Sequence, residues 1–93
     1  MSDDEYRGAA VVRGITVAVR LSARFEPVEG RYRWAGRAAP DEALTALLRS
    51  GIREATVRIA DVEAPVALGE PDPWGGIRLT GTGLPPWRRS HAP

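Results

Sequence analysis

The chain has 93 residues, a net charge of +1 and no cysteine. That length makes one domain with a modest core. Near-balanced charge creates no global field for nucleic acid or an anionic membrane, and without thiols there is no disulfide, thiolate metal site or thiol nucleophile.

The opening Met1-Ser2-Asp3-Asp4-Glu5 is acidic, and no apolar run follows it as in a signal peptide. No stretch approaches the roughly 20 apolar residues of a membrane helix. A cytoplasmic location without membrane association is therefore expected. Residues 1–5 are expected to fray. A first strand is predicted from Tyr6 to Val12, closed by a tight turn at Arg13-Gly14.

The clearest segment is 15–26. Ile15, Val17, Val19, Leu21, Ala23 and Phe25 alternate with Thr16, Ala18, Arg20, Ser22, Arg24 and Glu26. Successive side chains in a strand face opposite ways, so this is a long strand with one apolar face. It spans roughly 40 Å, a length that favours bending into a barrel or a strongly twisted sheet. Pro27-Val28-Glu29-Gly30 predicts a hairpin turn. The strand 31–37 follows, with Tyr32, Trp34 and Gly36 on one side and Arg31, Arg33, Ala35 and Arg37 on the other. A glycine at position 36 implies a bulge or a close backbone approach.

The period then changes. Pro40, Asp41 and Glu42 suit a helix start, and Gly51 suits its stop. Ala43, Leu44, Leu47 and Leu48 form an apolar stripe, so a short helix over about 41–50 is expected to cover the sheet. Strands are predicted again at 54–61, 64–69 and 76–82, with Val57, Ile59, Val66, Leu68, Ile77 and Leu79 inward. Asp61 to Ala64 is the expected hairpin between the first two of them. Glu70-Pro71-Asp72-Pro73-Trp74-Gly75-Gly76 reads as a rigid loop. Together these elements predict a mainly β fold: a small antiparallel barrel or rolled sheet of about six strands with one short helix. The domain is expected over 6–84, with 85–93 an extended or disordered Pro-rich tail.

The chemistry on offer is limited. His91 is the sole histidine, which leaves no Ser/His/acid triad and no multi-histidine metal site within one chain. No cofactor or metal is expected. Gly81-Thr82-Gly83 lacks the lysine and helix of a phosphate loop. Glu70 and Asp72, on a constrained loop beside Trp74, are the carboxylates best placed for acid–base work, against the plainer reading of wet turn residues. Tyr32, Trp34 and Phe25 read as core or barrel lining, and a filled interior is favoured at this size. Arg20, Arg24, Arg31, Arg33 and Arg37 share one outward face. That face is either a solvated surface or an anion site, with Tyr32 and Trp34 pointing away from it. All 13 basic residues are arginine, which looks like the imprint of a GC-rich genome and argues against reading each one as chosen.

Three blocks carry a family resemblance: Gly30-Arg31-Tyr32-Arg33-Trp34-Ala35-Gly36-Arg37, then Gly69-Glu70-Pro71-Asp72-Pro73-Trp74-Gly75, then Gly81-Thr82-Gly83-Leu84-Pro85-Pro86. With the opening Asp4-Glu5-Tyr6-Arg7-Gly8, they resemble an actinobacterial family of about ninety residues with no assigned function. Its members stand alone or at the C-terminus of flavin-dependent, Baeyer–Villiger-like monooxygenases. The resemblance implies an accessory role in oxidative or secondary metabolism, with such a monooxygenase as a partner, and it supplies no catalytic residue.

The expected function is a non-catalytic accessory domain that binds a partner protein, an apolar small molecule or its own copy. Tyr32, Trp34, Glu70, Asp72 and Trp74 are its candidate contacts, with Trp87 a further one, because aromatic residues dominate interface energetics. One alternative is a small cyclase or isomerase with a shaped pocket using Glu70, Asp72, Tyr32 or Arg33. Another is single-stranded nucleic acid binding on the arginine face.

Overall fold

The computed structural model describes residues 4–87. Its elements are β1 (Asp4–Val12), β2 (Ile15–Glu26), β3 (Arg31–Ala38), α1 (Glu42–Arg49), β4 (Glu54–Ile59), β5 (Val62–Pro71) and β6 (Ile77–Thr82). The strands close into an antiparallel barrel in the order β1-β2-β3-β6-β5-β4. Among the described residues, no helix is long and apolar enough to cross a membrane.

Local chemistry sets the register. Arg13 and Gly14 both have positive φ (51° and 81°), the pattern of a two-residue type I′ hairpin turn, whose twist matches that of its strands. Val12 therefore faces Ile15, and the pairing runs back to Asp4 opposite Ala23. At the next turn the Glu26 carbonyl accepts from the amides of Glu29 (3.1 Å) and Gly30 (2.8 Å), which places Glu26 opposite Arg31. The hairpin expected at 61–64 is tighter and earlier. Ala60, at φ 56°, turns the chain, so that Ile59 faces Val62. The following strand runs to Pro71, beyond its expected end at residue 69.

The interior is built in layers. Val19, Ala38 and Ile77 face one another across β2, β3 and β6, and the next layer holds Leu21, Gly36, Leu79 and Leu68. These residues are buried, apart from the half-buried Gly36. Two glycines make the layering possible. A β-carbon on Gly36 would lie 1.9 Å from the Arg20 carbonyl oxygen and 2.7 Å from the Leu21 α-carbon, so the close approach foreseen at this position is real. A β-carbon on Gly81 would lie 2.2 Å from the Trp34 ring. Gly81 is the cross-strand partner of Trp34, and the indole covers the bare backbone there, the familiar pairing of an aromatic with a strand glycine.

Both barrel ends are closed. After the end of β3, Asp41 caps α1, its carboxylate accepting from the Leu44 amide at 3.0 Å. Leu44 and Leu48 enter the core, and Arg53 donates to the Leu48 carbonyl at 2.9 Å. Because β6 runs antiparallel to β3, residues after Thr82 emerge at the opposite end. There Pro85 and Pro86 are fully buried. Trp87 stacks on Tyr6 and meets Trp34 edge-to-face, both with ring centroids 6.1 Å apart.

This corrects the expected domain limits. Residues 85–87 are a plug over the barrel mouth rather than a loose tail, because three large rings need one another's surface to leave water. Asp4 and Glu5 are likewise paired strand residues, opposite Ala23 and Ser22. The expectations for residues 1–3 and 88–93, with His91, fall outside the described residues. A further correction concerns Phe25, which was expected in the core and is 51% exposed. It has inward parity, but β2 outruns the barrel there, and the ring leans edge-on against Tyr32 at 5.3 Å.

Two stability predictions follow from this packing. Gly36→Ala forces β2 and β3 apart and should cost about 3 kcal/mol, or roughly 15 °C in Tm by calorimetry. Ending the chain after Leu84 should lower Tm by at least about 10 °C, since it strips two buried prolines and an aromatic cap from the core. An unchanged Tm would show that the plug does not contribute to the fold.

Candidate functional site

With a filled interior, the sites available are on the barrel wall. One depression, of about 700 Å3, lies on the outer face over the small side chains of Ser22, Ala35, Thr80 and Ala67. Its arginines are partly neutralised: Arg33 donates two hydrogen bonds to Glu29 at 2.9 and 2.7 Å, and Arg24 donates one to Glu26 at 3.0 Å. The first pair holds the Glu29 carboxyl below the usual carboxylate range, chiefly through the Arg33 hydrogen bonds. Both partners stand in open solvent, where such pairs contribute little.

A second groove, of about 450 Å3, has more to offer chemically. It is lined by Arg7, Arg20 and Arg37, by Ala18, Ala39 and Pro40, and by Asp72 and Trp74. The arginines come together through strand register. Arg7 lies opposite Arg20, Arg20 opposite Arg37 and Arg37 opposite Arg78. The side chain missing from Gly69 leaves room beside the Arg78 stem, where an added β-carbon would sit 3.2 Å from it. The result is an unbroken cross-strand row of guanidinium groups on β1, β2, β3 and β6. Like charges directly opposite one another oppose folding, by up to about 1 kcal/mol per pair. Arg37 makes one contact, to Asp72 at 3.4 Å. Among the described residues, Arg7, Arg20 and Arg78 have no carboxylate partner.

Trp74 stands on the loop between β5 and β6, and Asp72 shapes that loop. One oxygen of its carboxylate accepts from the amides of Trp74 and Gly76, both at 2.9 Å. Its own amide donates to the Gly76 carbonyl at 2.8 Å, and its carbonyl accepts from Gly75 at 2.9 Å. Short polar side chains that bond the backbone just ahead of them fix turns in this way. The loop therefore holds Trp74 rigidly while leaving it 78% exposed.

The residues singled out from the sequence thus separate. Asp72 and Trp74 share the groove. Trp34 is sealed in the core at 2% exposure. Tyr32 sits half-buried at the other end of β3, beside Phe25. Glu70 is exposed and touches Arg53 at 3.4 Å, away from the groove. Its side chain stands in solvent, the plainer of the two readings the loop sequence allowed. The expected arginine face also divides, since only Arg20 and Arg37 of it belong to the groove. Arg7 and Arg78 complete the row without having been foreseen. Arg7 was detectable: counting back from the Arg13-Gly14 turn sets it opposite Arg20. Among the described residues, no cluster of His, Asp or Glu is arranged to hold a metal ion.

Comparison with known proteins adds a family and a scale. A family model described as a domain of unknown function, DUF4873, matches residues 3–88. An uncharacterized protein of Mycobacterium tuberculosis, Rv0943c, is 35% identical over 92 residues, covering 95% of this chain and 26% of that protein. The uncharacterized protein Mb0968c of Mycobacterium bovis matches to the same extent. The chain thus spans about a quarter of the length of the curated relatives it matches. No solved structure matches it.

Asp72→Ala removes both side-chain bonds that shape the loop. It should cost about 1–2 kcal/mol and speed hydrogen exchange at the Trp74 and Gly76 amides, as read by NMR. Asp72→Asn keeps the accepting oxygen and should largely preserve their protection.

Proposed function

The chain belongs to the DUF4873 family, and from that membership and the Trp74 groove we propose that it is a non-catalytic binding domain that docks onto a partner protein. The observation that carries this reading is Trp74, 78% exposed on a loop that Asp72 locks in place. An exposed indole costs solubility and serves no packing purpose here. Tryptophan and arginine are the residues that most often anchor protein interfaces, and this groove combines both.

The form of the groove favours a macromolecule over a small molecule. Small-molecule sites bury most of their ligand in concave, largely apolar pockets. Here the wall arginines stand in solvent, with the Arg37 side chain 62% exposed, and the barrel interior is occupied by side chains. The same filled interior weighs against the cyclase or isomerase reading, which needs an enclosed, dry cavity. Relatives that carry this domain as about a quarter of a longer chain fit a module that works against another folded unit. A flavin-dependent monooxygenase is the partner we propose to try first, on the family resemblance.

The test is a titration of the domain against flavin-dependent monooxygenases of its source organism. Trp74→Ala should weaken binding by about 30-fold, the size of an interface hot spot, while Tm stays within about 2 °C of wild type. Unfolding on substitution would make Trp74 a core residue. Undiminished binding would move the contact face elsewhere.

A further inference from the structure

We infer that the segment docking in the Trp74 groove is acidic, an extended stretch of the partner protein that lays alternate carboxylates along Arg7, Arg20 and Arg37 of the groove and on to Arg78, which lines the neighbouring depression. This rests on the reading of the Trp74 face as the partner-binding surface, and adds the chemistry that face selects.

The row is a structural anomaly that this occupant resolves. The fold places four guanidinium groups in direct cross-strand succession. Among the described residues it supplies one carboxylate to them, Asp72, at 3.4 Å from Arg37. The chain as a whole is nearly neutral, at +1, so the row is a local feature of this wall and not the expression of a basic chain. Acidic residues lie elsewhere: Glu54, Asp61, Glu63 and Glu70 are exposed on or beside β4 and β5. Such an arrangement selects a partner of opposite sign.

The overall lengths agree, with three carboxylates shared among four guanidinium groups. Neighbouring strands lie about 4.8 Å apart, so the row is roughly 14 Å long. In an extended peptide, side chains on one face recur about every 6.7 Å, so three alternate carboxylates span about 13 Å. Arginine takes a carboxylate through paired N–H donors, which fixes direction as well as sign. The flanks are clear for a main chain. Ala9, Ala18 and Ala39 lie on one side of the row, and Ser22, Ala35, Thr80 and Ala67 on the other. Trp74 then receives an apolar side chain of the same segment.

A nucleic acid strand fits less well. Its recognition needs a series of aromatic platforms for successive bases, and this wall offers Trp74 alone.

The experiment uses three probes read by Trp74 fluorescence and NMR shifts: a peptide of alternating glutamate and threonine about eight residues long, its glutamine counterpart, and a thymidine oligonucleotide of similar length. The glutamate peptide should bind, and its affinity should fall about tenfold from about 0.02 to about 0.2 M salt. The glutamine peptide should not bind. The triple variant Arg7→Gln, Arg20→Gln and Arg78→Gln should lose at least about tenfold in affinity. Arg49→Gln, on α1, should lose none.

Removing like charges should leave Tm unchanged or higher, and a lower Tm would assign the row to the fold and overturn the proposal. Equal binding of the glutamine peptide, tighter binding of the oligonucleotide, or no response to the glutamate peptide would overturn it as well. The two readings fail separately. If Trp74→Ala weakens partner binding and the arginine variant does not, the acidic chemistry falls and the docking face stands. If neither weakens it, the face falls too.

Discussion

The contact between Gly36 and the Arg20 carbonyl, where a β-carbon would come within 1.9 Å, is the constraint that organises this molecule. It lets β3 fold hard against the longest strand, and a barrel of six short strands needs that curvature to close. Closure brings Leu21, Leu79 and Leu68 into one layer. Because sides alternate along a strand, the same crossing sets Arg20 beside Arg37 on the outside, one residue away from the buried pair. Core and surface are therefore two faces of one register, and the arginine row cannot shift without dismantling the interior.

A filled interior leaves the outer surface as the place where another molecule could sit. Small barrels either enclose a ligand or pack themselves solid, and here Trp34, the inward leucines and the helix residues Leu44 and Leu48 occupy the space. The docking face proposed above therefore lies on the outer wall, where strands supply a stiff and regular template. The groove uses two kinds of support. The arginines depend on strand pairing, and Trp74 depends on a loop knotted by a single carboxylate. Sites set on rigid supports lose little entropy when they are occupied.

Much of this was legible in the chain, for local reasons. Strict alternation from Ile15 onward gave β2 and its inward face. Asp41 and Gly51 bracketed the helix, and the parity of Val57, Ile59, Val66, Leu68, Ile77 and Leu79 was correct in every case. Pairings made by hairpins could be counted from their turns, which is why the register of Arg20 with Arg37 was within reach. Pairings between strands distant in sequence could not be counted. Arg78 joins the row through the contact of β3 with β6, which no turn dictates. The 85–87 segment misled for a different reason. A run of proline suggests extended chain, and only the tertiary presence of Tyr6 and Trp34 turns it into core. Phe25 misled in the opposite sense, because parity gives a direction and says nothing about where the barrel ends.

The plug has a consequence for where the ends of the described chain lie. Trp87 rests on Tyr6, close in sequence to Asp4, where the described chain begins. The two ends of the described chain thus lie side by side at one mouth of the barrel, and the Trp74 loop lies toward the other. Within the described residues, the chain ends and the proposed docking face are thus held at opposite poles by the same six strands.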